Sequence, residues 1–364
     1  MDYDWIIDGG YIPQTIAKMV VRQVVRMRHA EPSGKSLTEA TNEKMKYVAK
    51  LKTLPIAIET KAANTQQYEV GTGIFAAFLG PRMKYSCSLF STGSETLAEA
   101  ESAMLQQYLP RAEIKDGMTI LDLGCGWGSA TLFFAEQLPA SRVVGFSNSK
   151  TQKEYIEEEG RRRNIKKIEI ITGDVAEYEF EAEQFDRVVS VELFEHMKNY
   201  GLLMAKVARA LKPGGKLFVH IFCHRSKPYD FDEGWMSRYF FTGGTMPSAD
   251  LLLFFQQDLQ LQKQWWVSGQ NYMRTLQVCK LTVTEKLKLT PVSLTKAWLS
   301  NFTSNKEKVW PDLIETYGEK DATVWYNRWI FYHIGGSEFF GTGGGEVNGV
   351  SHYLFEKPQT PQLV

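Results

Sequence analysis

Cysteine is scarce in this chain: four residues among 364, at positions 87, 125, 223 and 279, with no C-x-x-C pair. That excludes a disulfide framework and reads as reduced thiols. Long apolar runs are also missing. Stretches such as Leu251 to Phe255 fall far short of the roughly 20 residues a membrane span needs. Charge of either sign is not in excess, since 42 Lys+Arg face 42 Asp+Glu. A chain that grips phosphate backbones wants a basic face, so a nucleic-acid partner is not expected. The acidic N-terminus has no basic region followed by an apolar block, so no signal peptide is expected. These absences describe a soluble, cytoplasmic protein with no stable membrane association. What is abundant is aromatic side chains, at 21 Phe, 16 Tyr and 9 Trp. They need a reason beyond core filling, and the length exceeds that of one simple core.

Residues 12–30 repeat apolar positions at helical spacing with basic residues between them, which predicts an amphipathic helix. A second helix opens at Ser36-Leu-Thr-Glu and runs to about Lys52, and a third helical region covers 66–80. From Met118 the pattern changes to short apolar strands alternating with helices. Strands are expected at 119–123, 142–146, 168–172, 185–191 and 215–222, with closing strands at 259–267 and 350–357. This alternation implies an α/β fold with a mostly parallel, doubly wound sheet. The chain then divides into a helical N-terminal segment (1–92), the core (93–225), a mainly helical, tryptophan-rich region (226–335) and a closing strand with its tail (336–364).

The strongest motif is Leu121-Asp122-Leu123-Gly124-Cys125-Gly126-Trp127-Gly128, directly after the first core strand. Its glycines permit a sharp turn and close approach of backbone to a ligand. The spacing G-x-G-x-G, preceded by an acidic residue, differs from the phosphate-binding G-x-G-x-x-G. In this strand-then-helix context the chain resembles the class I S-adenosylmethionine-dependent methyltransferases, with a Rossmann-like core. Tyr85-Ser86-Cys87 and Phe194-Glu195-His196-Met197 narrow the likeness to the cyclopropane-fatty-acid-synthase-like group. Within it, the runs 79–87, 194–200 and 238–248, with Tyr68-Glu69, resemble the plant coclaurine N-methyltransferase-like family from about residue 54 onward. Relatives acting on phenylalkylamines and benzylisoquinolines share this core.

The resemblance implies S-adenosylmethionine as cofactor, held by Tyr85, Ser86, Asp122, Gly124, Gly126, Ser147, Asn148, Gln152, Asp174, Val175 and Val191. Most class members place an acidic residue on the ribose. Here Phe146-Ser147-Asn148-Ser149 stands instead, so Asn148 and Gln152 are expected to hold the hydroxyls as neutral groups. Asp174 is expected to face the adenine amine.

Methyl transfer to nitrogen needs a neutral amine, whereas alkylamines, like lysine with its pKa near about 10.4, are protonated at neutral pH. The site must attract an ammonium and remove its proton. Glu192, Glu195 and His196 follow the fourth core strand, and a helix starting at 193–199 would bring them near one face. The resemblance makes Glu195 and His196 the deprotonating pair, with Tyr68, Glu69 and Glu192 shaping the amine end. Trp329, Phe331, Tyr332, Phe240, Phe241 and Tyr239 are the candidates for an aromatic wall, with Phe240, Trp329 and Tyr332 expected to bind the substrate, because a cation gains roughly 0.5–2 kcal/mol over an aromatic face.

His220, Cys223 and His224 share one strand and point to alternating faces, so no metal site is expected. Two alternatives stay open. One is a cyclopropane-fatty-acyl-phospholipid synthase, for which likeness places a bicarbonate base near Cys125, Glu195, His220 and Tyr272. The other is a non-catalytic cofactor-binding scaffold. The partner expected is a small-molecule amine, and a homodimer is compatible with the sequence.

Overall fold

The computed structural model describes residues 4–30, 36–58, 70–231, 234–277 and 297–359. Its centre is a seven-stranded sheet of strand order β3-β2-β1-β4-β5-β9-β8. The strands are β1 (Thr119–Leu123), β2 (Arg142–Ser147), β3 (Ile168–Thr172), β4 (Phe185–Val191), β5 (Leu211–His224), β8 (Gln260–Ser268) and β9 (Asn348–Glu356). Two short strands, β6 (Tyr229–Asp230) and β7 (Thr245–Met246), pair separately. β1 to β5 run parallel, and β9 and β8 close the edge antiparallel.

Successive residues of the central strands point to opposite layers. Ile120, Val143 and Val189 join one apolar cluster, while Leu121, Val144 and Val188 join another. Both faces are therefore covered, which is why these strands read as continuous apolar runs. The first layer includes α5 (Leu97–Arg111) and α6 (Ser129–Gln137), and the second α3 (Leu37–Thr53) and α8 (Tyr200–Ala210). α3 and α5 each open on a capping box, Ser36 with Glu39 and Thr96 with Glu99. Between these lie α4 (Thr72–Phe78) and α7 (Lys150–Arg162).

Helices α1 (Asp4–Asp8) and α2 (Gln14–Ala30) do not join the sheet. They pack on α13 (Ala322–Gly341) through the ion pairs Asp8–Arg328 (2.7 Å) and Arg22–Glu338 (2.8 Å), and Asp4 reaches Arg238 on α9 (Trp235–Tyr239) at 2.7 Å. With α10 (Gly269–Leu276), α11 (Trp298–Ser304) and α12 (Lys306–Tyr317), they form a helical mass beside the first layer. Most tryptophans pack there, although Trp265 and Trp266 lie on β8.

Two expectations need correction. β5 starts at Leu211, because Phe185 already pairs with Leu211 and the Pro213-Gly214-Gly215 turn is absorbed as a register shift. The helix expected from 193 begins only at Tyr200. Phe194–His196 is a single 3₁₀ turn. Asn199 caps Leu202 N–H at 3.1 Å while its amide donates to Leu54 O at 2.8 Å, so this tertiary anchor delays the helix.

The strand order reverses between β1 and β4, with β2 on one side and β5 on the other. Crevices outside the carboxyl ends of strands at such a switch point are where α/β sheets hold ligands. Three of the cysteines, Cys87, Cys125 and Cys223, are buried free thiols, and Cys279 lies outside the described residues.

Candidate active site

One cavity opens at this switch point. Its wall includes all eleven residues expected at the cofactor, together with Glu192, Glu195 and His196.

At the β1 end Asp122 is buried and accepts a hydrogen bond from Thr131 Oγ1 on α6 at 2.6 Å. Burial lifts its pKa to about 6. The N–H groups of Gly124 and Cys125 both donate to Phe146 O, tying the glycine turn to β2. Gly124 and Gly126 have φ of +84° and +51°, and a Cβ on Gly126 would meet nothing within 4 Å. Gly126 therefore presents bare backbone to open cavity. That cradle fits the methionine part of S-adenosylmethionine.

Past β2, Ser147 Oγ donates to Gln152 Oε1 at 2.6 Å, and Ser149 caps α7 by accepting from Gln152 N–H at 3.3 Å. These bonds fix Gln152 on the wall, where it and Asn148 stand as neutral groups. Past β3, Asp174 accepts from Ala176 N–H at 2.8 Å and stays on the wall beside Val175.

The other end is built on β4. Glu192 has φ of +51°, a strained conformation for a non-glycine residue. Three donors hold its carboxylate: Tyr272 Oη at 2.7 Å, His220 Nε2 at 3.3 Å and Cys87 N–H at 3.4 Å. Burial pushes its pKa up to about 7, opposed chiefly by the Lys84 cation. Lys84 is itself buried, with its pKa pulled down to about 8, and donates to Ser86 Oγ and Cys87 O. Glu195 is 2% exposed, and its Oε2 finds no hydrogen-bond partner among the described residues. Burial, then the charge of Glu192, raises its pKa well above the carboxylate range. Burial pulls His196 down to about 4, so its imidazole is neutral at physiological pH.

A cation entering this space reverses the balance, because a nearby positive charge favours the ionised carboxylate. Without it, burial and their mutual repulsion favour the protonated form of both carboxyl groups, most strongly at Glu195.

The aromatic wall differs from expectation. Tyr332 lines the cavity and bonds to Tyr85 Oη at 3.0 Å. Phe240 and Trp329 do not line it. They are 2% and 1% exposed and pack behind Tyr332, with ring centroids 4.7 Å and 5.5 Å from it. Trp329 faces the apolar core of Phe75 and Phe78 from α4, whereas Tyr332, three residues on, turns toward the cavity. Phe241, another of the wall candidates, does line the cavity, stacked on His196 at 6.3 Å and 8°. Tyr239 bonds to Asp4 and Phe331 packs on Trp235, so neither is on the wall. Tyr68 and Glu69 lie outside the described residues.

The implied bicarbonate set is also redistributed. His220 and Tyr272 converge on Glu192, which also accepts from Cys87 N–H, and not on Glu195 or Cys125, whose thiol packs among Leu132, Ile156 and Ile170 at the edge of the cavity. Lys84, Tyr108, Phe222 and Thr242 were not expected on the wall. Phe222 had a signal, since it shares a strand face with His220 at a spacing of two. Among the described residues no group of three His, Cys, Asp or Glu is placed to hold a metal ion, and no helix is long and apolar enough to cross a membrane.

Residues 57–348 match the mycolic acid cyclopropane synthetase family. The chain is 34% identical to (S)-coclaurine N-methyltransferase of Thalictrum flavum subsp. glaucum, over 96% of this chain and 94% of the relative. It is 33% identical to pavine N-methyltransferase of the same plant, over 85% and 84%. A crystal structure of coclaurine N-methyltransferase bound to N-methylheliamine and SAH superposes with a TM-score of 0.88 at 33% identity, covering 97% and 98% of the two chains. The chain belongs to this family, on its coclaurine N-methyltransferase-like side, and is an S-adenosylmethionine-dependent amine N-methyltransferase.

Proposed function

We propose that the enzyme methylates the nitrogen of an arylalkylamine, either a phenylalkylamine or a tetrahydroisoquinoline of the benzylisoquinoline type. The observation that carries this reading is Glu195 Oε2, buried without a partner among the described residues on a wall shared with Glu192, neutral His196 and Phe241. A buried, unpaired carboxyl group is costly unless a ligand completes it. A protonated amine with a flat apolar body supplies both the charge and the face.

Glu192, oriented by its three donors, anchors the ammonium. Glu195 and His196 take the proton from nitrogen, which frees the lone pair. Phe241 and Tyr332 hold the aryl group so that nitrogen points along the cavity toward the glycine turn. S-adenosylmethionine, when bound, supplies a methyl carbon on a sulfonium. Glu195 or His196 would keep the proton lost from nitrogen, leaving the lone pair free for the methyl group that the sulfonium would supply. Neutral amides at Asn148 and Gln152 add no charge beside the ribose. The buried free thiols and the absence of a membrane-crossing helix among the described residues support a cytoplasmic setting.

The test incubates the enzyme with methyl-labelled S-adenosylmethionine and a panel of phenylalkylamines, tetrahydroisoquinolines and unsaturated phospholipid. Label is expected in amine nitrogen. Label in lipid alone would restore the cyclopropane-synthase reading and overturn this one.

A further inference from the structure

Behind Glu192, polar side chains continue through the sheet, and methyl transfer as described uses none beyond His220. His220 on β5 and His352 on β9 are direct cross-strand partners with 0% exposure each, their ring centroids 4.7 Å apart. His352 Nε2 lies 2.9 Å from His220 Nδ1. On the far side, Arg111 Nη1 from the last turn of α5 lies 2.6 Å from His352 Nδ1. On the near side, His220 Nε2 meets Glu192 Oε1 at 3.3 Å.

The outer group decides the direction of every bond. A guanidinium donates and never accepts. His352 Nδ1 must therefore offer its lone pair. Burial drives both imidazoles well below their ordinary pKa, so each is neutral and carries one proton. With Nδ1 accepting, His352 carries its proton on Nε2 and donates to His220 Nδ1. His220 in turn carries its proton on Nε2 and donates to Glu192. Tyr108 Oη, 3.0 Å from His220 Nδ1, is a second donor onto the same lone pair and reinforces that tautomer.

We propose that Arg111, His352 and His220 are positioning residues for methyl transfer: a one-way hydrogen-bond relay in which the guanidinium sets both imidazole tautomers, so that an N–H always faces Glu192 Oε1. This rests on the reading of Glu192 as the carboxylate that anchors the ammonium.

The relay favours the ionised carboxylate, because hydrogen bonds to the charged form stabilise it. It is not a proton exit. His220 Nε2 already carries a proton, and the far end is closed by a group that does not release one. The proton lost by the amine therefore stays on the Glu195 and His196 side and leaves through the cavity. The other groups facing Glu192 are Lys84, Tyr272, Cys87, His196, Glu195, Tyr108 and Tyr332, while Lys84 and Tyr108 face the two histidines. Arg111→Met alters none of these residues. Arg111 also lies over the Trp265 ring at 5.1 Å, and Trp265 opposes His352 in the β8–β9 register.

The first test needs no variant. Six histidines in the chain make side-chain ¹⁵N spectra tractable. His220 and His352 are both expected as neutral Nε2–H tautomers, and a proton on His352 Nδ1 would overturn the relay. In Arg111→Met, His352 is expected to gain the Nδ1–H tautomer. The acidic limb of the kcat/KM profile is expected to move toward alkaline pH by about one unit, the scale set by losing one hydrogen bond to a charged group. Arg111→Lys, which keeps a cationic donor, should fall between. Unchanged tautomers and profile in Arg111→Met would also overturn the proposal.

Glu192→Gln separates the two readings. If it removes the acidic limb while Arg111→Met moves nothing, the anchor stands and the relay fails. If it leaves the limb in place while Arg111→Met switches the tautomers, the relay stands as a tautomer lock and Glu192 loses its role as anchor.

Discussion

At the cofactor end of the cavity the polar side chains satisfy one another: Thr131 bonds Asp122, Ser147 bonds Gln152, and Asp174 takes a neighbouring N–H. At the amine end the ionisable groups are buried and shifted. Glu195 has an oxygen with no partner among the described residues, Glu192 is strained and raised, and His196 is held neutral. The first arrangement is largely preformed, because its acid and amide side chains already have their bonds, although Trp127 Nε1 and Ser129 Oγ on the same wall find no partner among the described residues. The second is costly until a cation arrives, which ties the charge state of the site to occupancy. One end is therefore built to hold a ligand, and the other to change its protonation when a ligand enters.

The contrast breaks most sharply at His196. His196→Ala is expected to lower turnover on an arylalkylamine by about 10²–10⁴-fold, the range for losing a positioned acid–base group. Calorimetric affinity for S-adenosylmethionine should change little, because the cofactor end is satisfied without it. A matching loss of cofactor affinity would show that the two ends are one structural unit.

Glu195→Ala should sharpen the same contrast through pH. An alkylamine with a pKa near about 10 becomes neutral in solution at a rate of roughly tenfold per pH unit below that value. A variant lacking the proton acceptor should therefore recover activity as pH rises from 7 toward 10, while the wild type gains less. Parallel profiles would remove Glu195 from deprotonation.

The two ends also differed in how far sequence alone could read them. Residues 121–128, 147–152 and 173–175 are local turns at strand ends, so a short motif carries their geometry and all the cofactor positions read from them line the cavity. The doubly wound sheet was legible for the same reason, as each strand and its turn are contiguous. The amine end gathers Lys84, Glu192, Phe222, Phe241, Tyr272 and Tyr332 from separate elements, and no spacing rule links them. Glu195 and His196 were found through one continuous run, but the expected helix was not, because Asn199 is anchored to the backbone after α3. Phe240 and Phe241 were both candidates for the wall, because adjacent aromatics in a loop carry no periodicity to say which one faces in. The pairing of His220 with His352 appears only when β9 returns beside β5.

The smallest expected effect tests that same choice of wall. Trp329 is 1% exposed and packed against Phe75, Phe78 and Phe240, so Trp329→Ala removes core volume and should lower unfolding stability by about 3–5 kcal/mol. Phe241 lines the cavity over His196 and its neighbours Phe222 and Tyr332 remain, so Phe241→Leu should keep most of the stability. It should raise the KM for an arylalkylamine several-fold, since the stacking face for a cation is worth roughly 0.5–2 kcal/mol. Thermal melts and steady-state kinetics on the two variants separate the roles. If Trp329→Ala melted like the wild type and raised KM, while Phe241→Leu lost stability, the wall would be Trp329. The aromatic face over the amine would then rest on α13 alone, through Trp329 and Tyr332, rather than on α13 together with the loop before β7.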